Sequence, residues 1–213
     1  MVNQSNQTTN DFDQKVKKII NPVLVEYVRG DLVDSQHRGL FVVTDASGNI
    51  QLSAGDYQSS IFPGAVAKPL QALWLIESGA SDRYQLNLSE IVLACGSHSG
   101  SQKHVDILRN WLKKIGCDET DLTCGPSLPW GDAEKEILFK SEGSPSRLQD
   151  SCSGKHVALL TVARHFNHPT HGYTRLDHPI QKQVLHILEE VTGSELINAP
   201  KTLDGSGVPA FSV

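Results

Sequence analysis

Six segments of the chain after residue 65 carry apolar residues at the three-and-four spacing of an amphipathic helix. Gly79, Gly116 and Gly193 follow three of these segments and mark helix ends. Pro179 opens the last segment, where a proline suits the first helical turn. The spacing therefore predicts helices over residues 66–78, 89–95, 102–115, 132–140, 154–166 and 179–191.

Shorter apolar segments near the start predict strands. Val23–Val28 forms one, and the pair Gly39–Asp45 and Ile50–Ser53 forms a hairpin, because Ala46-Ser47-Gly48-Asn49 supplies turn residues between them. Strands followed by a series of helices predict an α+β fold. Three strands make a narrow sheet for so many helices, and the tail Leu203–Val213 resembles a strand that has only begun. We therefore expect further strands beyond residue 213.

Composition narrows the class of protein. The 213 residues carry a formal charge of −5, with 19 scattered Lys and Arg, which disfavours a nucleic-acid partner. Nowhere do 18 apolar residues run together, and the first 20 residues are polar. These features predict a cytoplasmic protein outside the membrane, with a partly disordered segment 1–20 and one domain over 21–213 that is incomplete at its C-terminus.

One segment concentrates reactive side chains. Ser151–His156 contains a thiol, two hydroxyls, an amine and an imidazole, at the start of the buried helix predicted from residue 154. Cys152 and Lys155 are three residues apart, so they share a helix face and could share a proton or a metal ion. The four cysteines contain no Cys-x-x-Cys pair, so any metal ion would need ligands from distant segments.

Five ordered motifs give a resemblance to a known family. Together they are similar to the rhizobial-type L-asparaginases, the asparaginase II family, over Val23 to Val213. The motifs are Val25–Gly30, Ala67–Leu73, Ala94–Gly100, Cys152–His156 and Asp204–Pro209.

The resemblance implies a fold similar to serine β-lactamases and glutaminases, with an antiparallel sheet packed against helices. It also implies hydrolysis of the side-chain amide of L-asparagine to aspartate and ammonia, a homodimer, and a zinc ion beside the substrate. On the same basis the chain corresponds to the front part of the family's domain, without its C-terminal strands.

The catalytic residues of the family carry over in part. Lys68 matches the lysine of a Ser-x-x-Lys pair, but Ala65 stands where the nucleophilic serine is expected. An alanine methyl cannot attack a carbonyl carbon. Ser97 matches the family's second serine and becomes the candidate nucleophile, with Lys68 as its partner.

The metal and substrate positions are also altered. Cys152 and Lys155 match two zinc ligands, while Ser206 occupies the position of the third, a cysteine. A serine hydroxyl is a poor zinc ligand beside a thiolate, so weak or lost zinc binding is expected. Asp204, with His98 and Cys152, is assigned to substrate binding.

Two hypotheses about function remain open at this stage. The chain is an asparaginase-like amidohydrolase that uses Ser97, or it is a catalytically degenerate member that binds an amino acid or serves as a partner subunit. Each candidate residue also has a plain structural interpretation: Cys152 as a buried core thiol, Lys68 as a solvated first-turn residue, and His98 and His156 as turn or cap residues.

Overall fold

The computed structural model describes residues 21–213, so the predicted disordered segment 1–20 lies outside the described residues. The chain divides into two compact units after Ser60. The prediction of one domain over residues 21–213, incomplete at its C-terminus, stays a prediction. None of the helices in the described residues is long and apolar enough to cross a bilayer.

The first unit consists of two antiparallel hairpins. Strand β1, Val23–Arg29, pairs with β2, Leu32–Arg38, and β3, Phe41–Thr44, pairs with β4, Ile50–Ala54. The predicted strand at Val23–Val28 and the predicted hairpin over residues 39–53 are confirmed, with slightly different ends. Strand β2 was not predicted, because five of its residues, Asp-Ser-Gln-His-Arg, are consecutive polar residues and show no apolar alternation. All of them are exposed.

The second unit is mainly helical. Its helices and final strands are α1, Lys68–Glu77; α2, Ala80–Arg83; α3, Leu88–Cys95; α4, Gln102–Lys114; α5, Asp132–Lys140; α6, Ser153–His165; α7, Pro179–Thr192; β5, Lys201–Leu203; and β6, Pro209–Phe211. The six predicted helices are present, and the α+β class is confirmed. The first one begins as a 3₁₀ turn, Gly64–Ala67, and becomes α-helical at Lys68.

Helix α6 is the centre of the second unit. Its residues from Ser153 to Ala163 are all buried, and it packs against α1, α3, α4 and α7. A close crossing with α3 requires a glycine, because a Cβ atom on Gly154 would lie 2.0 Å from the carbonyl oxygen of Leu93. The first turn of α6, which carries the predicted Cys152–His156 motif, is therefore held rigidly against α3.

The end of the chain differs from its prediction. The segment that was expected to start a single strand forms a hairpin, in which β5 and β6 flank a turn that begins at Asp204. Gly207, in the turn, has φ +84°, a left-handed conformation that favours glycine. The strands on either side have three residues each, which is too short to give a periodic signal in the sequence. Beyond β6, Ile61 and Val213 exchange two backbone hydrogen bonds of 2.9 Å. The described strands form three two-stranded sheets, and the single β-lactamase-like sheet stays a prediction.

Candidate functional site

A cleft of about 340 Å³ lies in the second unit, where the start of α1, the end of α3, the start of α6 and the β5–β6 turn meet. It collects the predicted side chains Lys68, Ser97, Cys152, Lys155, Asp204 and Ser206 from four separate segments. The other residues that line it are Gly64, Ala65, Gln71, Trp130, Asp150, Ser151 and Gly205.

Lys68 and Ser97 form a hydrogen-bonded pair at one side of this cleft. Lys68 is the first residue of α1 and is only 3% exposed, which excludes its interpretation as a solvated first-turn residue. Its Nζ atom lies 2.8 Å from the Oγ atom of Ser97, which follows the C-terminus of α3. Ala65 lines the same cleft one turn before Lys68, and its methyl group stands where the family resemblance expects a hydroxyl.

His98 anchors the turn that carries Ser97 and does not belong to the described residues that line the cleft. The backbone N–H of Gly100 donates to its Nδ1 at 3.2 Å, so the proton on Nε2 faces the Oγ atom of Ser153, 2.9 Å away. Burial, with the charges of His104 and Lys68, lowers the pKa of His98 to about 4. A neutral imidazole with both nitrogens bonded within the protein holds this turn against the start of α6. Contact of His98 with a substrate stays a prediction.

On the other side of the cleft, Lys155, Asp204 and Ser206 form a closed ring of hydrogen bonds. The Lys155 ammonium pairs with the Asp204 carboxylate through Oδ2, and it donates to the Oγ atom of Ser206 at 3.0 Å. Ser206 donates its own hydroxyl proton to Asp204 Oδ1 at 2.8 Å. Lys155 is 2% exposed, so Asp204 and Ser206 compensate a charge that is almost fully buried.

The turn between β5 and β6 fixes the Asp204 carboxylate. The backbone N–H groups of Ser206 and Val208 donate to Oδ1 at 2.9 and 3.0 Å. Burial by itself raises the pKa of Asp204, but the hydrogen bond and charge of Lys155, with the donors in the turn, outweigh it and lower the pKa to about 2. Asp204 is therefore a carboxylate at neutral pH, and its Oδ2 atom, which accepts from Lys155, has capacity for a second donor.

Cys152 stands at the N-cap of α6 as a free cysteine. The Asp150 side chain accepts a hydrogen bond from its backbone N–H at 2.7 Å and so shapes the approach to the helix. The thiol lines the cleft together with Lys155, and it lies 4.0 Å from the hydroxyl of Ser151. This half-buried position makes the thiol accessible from the cleft, unlike that of a core cysteine.

The donor chemistry around Cys152 does not fit the zinc ion that the resemblance implies. A lysine binds a metal ion through the lone pair of a neutral amine, whereas the Nζ atom of Lys155 donates to a carboxylate and to Ser206. The Ser206 hydroxyl proton is directed to Asp204. In the described part of the chain, no group of three His, Cys, Asp or Glu side chains is arranged to hold a metal ion.

Three further residues line the cleft that the sequence analysis did not single out: Gln71, Trp130 and Asp150. Trp130 is 68% exposed, and its backbone N–H donates to the carbonyl of Ser99 at 2.8 Å, which places it beside the Ser97 turn. Asp150 had a local signal, since an aspartate side chain commonly accepts a hydrogen bond from the backbone N–H two residues later, here that of the N-cap Cys152. Nothing in the apolar pattern around Trp130 or Gln71 indicates the cleft.

The fold and the cleft together define an α+β protein in which a serine–lysine pair and a fixed carboxylate line the same cleft. A model of the L-asparaginase II family matches residues 25–213, almost the whole described chain. The chain belongs to this family. A search of the curated proteins found no match.

Proposed function

We propose that this protein is an amidohydrolase that acts on the side-chain amide of L-asparagine, with Ser97 as the nucleophile and Lys68 as the base. The observation that carries the proposal is the 2.8 Å contact between Lys68 Nζ and Ser97 Oγ at the wall of the cleft. A serine needs an adjacent base to attack an amide, and a lysine within hydrogen-bond distance is a known solution.

The proposed reaction has two halves. Ser97 Oγ attacks the amide carbon while Lys68 accepts the hydroxyl proton. The carbon–nitrogen bond then breaks, and Lys68 returns the proton to the departing nitrogen, which leaves as ammonia. A water molecule attacks the resulting ester and Lys68 accepts one proton from it. The bond between the acyl carbon and Ser97 Oγ then breaks, Lys68 returns that proton to Oγ, and aspartate leaves.

Asp204 supplies the binding contact for the amino group of the substrate. Its carboxylate is ionised at neutral pH, and Oδ2 retains capacity for one charge-assisted hydrogen bond from an ammonium group. Cys152 lies on the same wall and contributes a contact beside it. In this proposal His98 positions Ser97 without touching the substrate, since its two ring nitrogens hold the Ser97 turn in place.

The test is ammonia release from L-asparagine by the wild-type chain, Ser97→Ala and Ser151→Ala. Ser151 is a matched control, because it is another serine of the same cleft wall and contacts neither Lys68 nor Asp204 through its hydroxyl in the described structure. Release that Ser97→Ala abolishes and Ser151→Ala retains supports the proposal. Equal release by wild type and Ser97→Ala would overturn it.

A second function has its own observation in favour. Ala65 places a methyl group in the cleft at the position of the expected nucleophile, which is consistent with a member that binds an amino acid without turning it over. L-asparagine that binds in calorimetry, with binding weakened by Asp204→Asn and no ammonia released, would identify this function.

The assembly is inferred from the family resemblance, and the location and the class of partner from the composition of the sequence. We infer a homodimer in the cytoplasm, with a small amino acid and no nucleic acid as partner. The oligomeric state is tested by light scattering of the purified chain, where a mass of about twice 23.3 kDa is expected.

A further inference from the structure

The ring of Lys155, Asp204 and Ser206 is complete without any added ion. Each of its hydrogen bonds runs from a defined donor to a defined acceptor: Lys155 to Asp204, Lys155 to Ser206, and Ser206 to Asp204. Two backbone N–H groups of the same turn also donate to Asp204. The negative charge of Asp204, whose side chain is partly exposed, therefore meets the positive charge of the buried Lys155 at contact distance.

This arrangement competes directly with a metal ion. A zinc ion at this place would need the Lys155 amine without its third proton, and it would place a divalent cation beside any lysine that kept that proton. The geometry favours an ammonium group, because the Nζ atom of Lys155 donates to both Asp204 and Ser206. A neutral hydroxyl at position 206 supplies no negative charge to reverse that preference, and Cys152 alone is one ligand where zinc takes four.

We infer that the Lys155 ammonium is a built-in cation of the cleft, held by Asp204 and Ser206, and that it makes the site independent of a metal ion. Ser206 is the residue that permits this state, because its hydroxyl accepts from the ammonium and donates to the carboxylate at once. The inference concerns the resting cleft and does not rest on turnover, so it holds whether or not the proposed hydrolysis is observed.

The role of Ser206 predicts that replacing it with cysteine increases zinc affinity. Ser206→Cys adds a second thiol to the cleft that Cys152 lines, and two thiolates favour zinc where one thiol and one hydroxyl do not. We expect Ser206→Cys to bind zinc at least 100-fold more tightly than the wild-type chain, and the added Cys152→Ser change to remove that gain.

The experiment measures metal binding and stability rather than activity. Wild type, Cys152→Ser, Ser206→Cys and the Cys152→Ser plus Ser206→Cys double variant are titrated with zinc chloride by calorimetry, and each is melted with zinc or with EDTA. The expected result is a wild-type melting temperature that neither zinc nor EDTA changes, with a zinc-dependent rise only in Ser206→Cys.

Two outcomes decide the inference even if Ser206→Cys fails to fold. Wild-type chain that binds one zinc ion, with binding abolished by Cys152→Ser, would overturn it. Zinc binding that Cys152→Ser leaves unchanged would place the ion on other residues, such as surface histidines, and would support a metal-independent cleft. Elemental analysis of the wild-type chain purified without chelator gives a further check, and an absence of stoichiometric zinc is expected.

Discussion

The Nζ atom of Lys68 lies 2.8 Å from the Oγ atom of Ser97, although 29 residues separate the two positions in the chain. The contact joins the first residue of α1 to the turn after α3, two helices that pack against each other. Since His98 ties the same turn to α6, the orientation of the pair depends on three helices rather than on one flexible loop.

Restoring the serine at position 65 should increase activity. Ala65 and Lys68 line the same cleft one turn apart, and the backbone N–H of Lys68 donates to the carbonyl of Ala65. A hydroxyl added to the Cβ atom of residue 65 gives Lys68 a second nucleophile, so Ala65→Ser should raise ammonia release from L-asparagine by tenfold or more. Ala65→Val is the control, because it also enlarges the side chain but adds no hydroxyl. An equal gain in both variants would attribute the effect to space instead of chemistry.

Removal of the Asp204 charge should destabilise the protein strongly. Asp204→Asn leaves the Lys155 ammonium buried without a counter-charge, which typically costs about 3–5 kcal/mol in the free energy of unfolding. The additional change Lys155→Met should recover part of that loss. Urea denaturation of the single and the double variant measures the free energy of unfolding in each case.

The matched control for Asp204→Asn is Asp132→Asn. Asp132 also pairs with a lysine, Lys135, but its side chain is 98% exposed, so the loss should stay below about 1 kcal/mol. Similar losses at the two positions would show that the Lys155–Asp204 pair is no stronger than an ordinary surface pair.

The close crossing of α3 and α6 makes Gly154 sensitive to substitution. A Cβ atom there would lie 2.0 Å from the Leu93 carbonyl oxygen, so Gly154→Ala must push the two helices apart. Because overpacking a core is destabilising, we expect the free energy of unfolding to fall by more than about 2 kcal/mol. Gly125→Ala, where a Cβ atom would meet nothing within 4 Å, should change stability by less than about 0.5 kcal/mol. A Gly154→Ala variant as stable as wild type would contradict the rigid crossing.

Acid should unfold the protein through its buried histidines. Burial, with the charge of Lys155, lowers the pKa of His156 from 6.5 to about 3, and its Nδ1 atom lies 2.7 Å from the Tyr173 hydroxyl. As the pH falls below 6.5, the unfolded chain binds a proton that the folded chain excludes. Stability should therefore be complete above pH 6.5 and fall between pH 6.5 and 3, by about 1.4 kcal/mol per pH unit for this histidine.

The slope of stability against pH identifies the group responsible. His98, with its pKa lowered to about 4, contributes in the same direction between pH 6.5 and 4. His156→Asn should reduce the slope of the free energy of unfolding against pH by the contribution of one histidine. This reduction is expected regardless of the variant's stability at pH 7. His171→Asn is the control, since that residue is exposed, and it should leave the slope unchanged.

Helices were predictable from the sequence because their signals are local. The segment predicted at residues 102–115 is α4, Gln102–Lys114, and the one predicted at 132–140 is α5 with the same ends. Strand β2 and the final hairpin were missed for opposite reasons. The first pairs through backbone hydrogen bonds without an apolar face, and the second has strands of three residues.

The cleft was only partly predictable. Motifs selected Lys68, Ser97, Cys152, Lys155 and Asp204, and the structure brings these five side chains to one cavity. The pairing of Lys155 with Asp204 was not foreseen, because it joins positions 49 residues apart and Lys155 was interpreted as a metal ligand. That interpretation depended on a thiol at position 206, and the hydroxyl there changes what Lys155 can do.

The short final hairpin is anchored by much more than its strands. Three-residue strands would fray readily in isolation. Detachment of this hairpin, however, would also separate Asp204 from the buried Lys155 in α6 and leave that lysine without its counter-charge. Opening of the C-terminal segment is thereby coupled to exposure of the central helix. In hydrogen exchange, the amides of Ser206 and Val208 should open with a free energy close to that of global unfolding, as members of the same cooperative unit as the core.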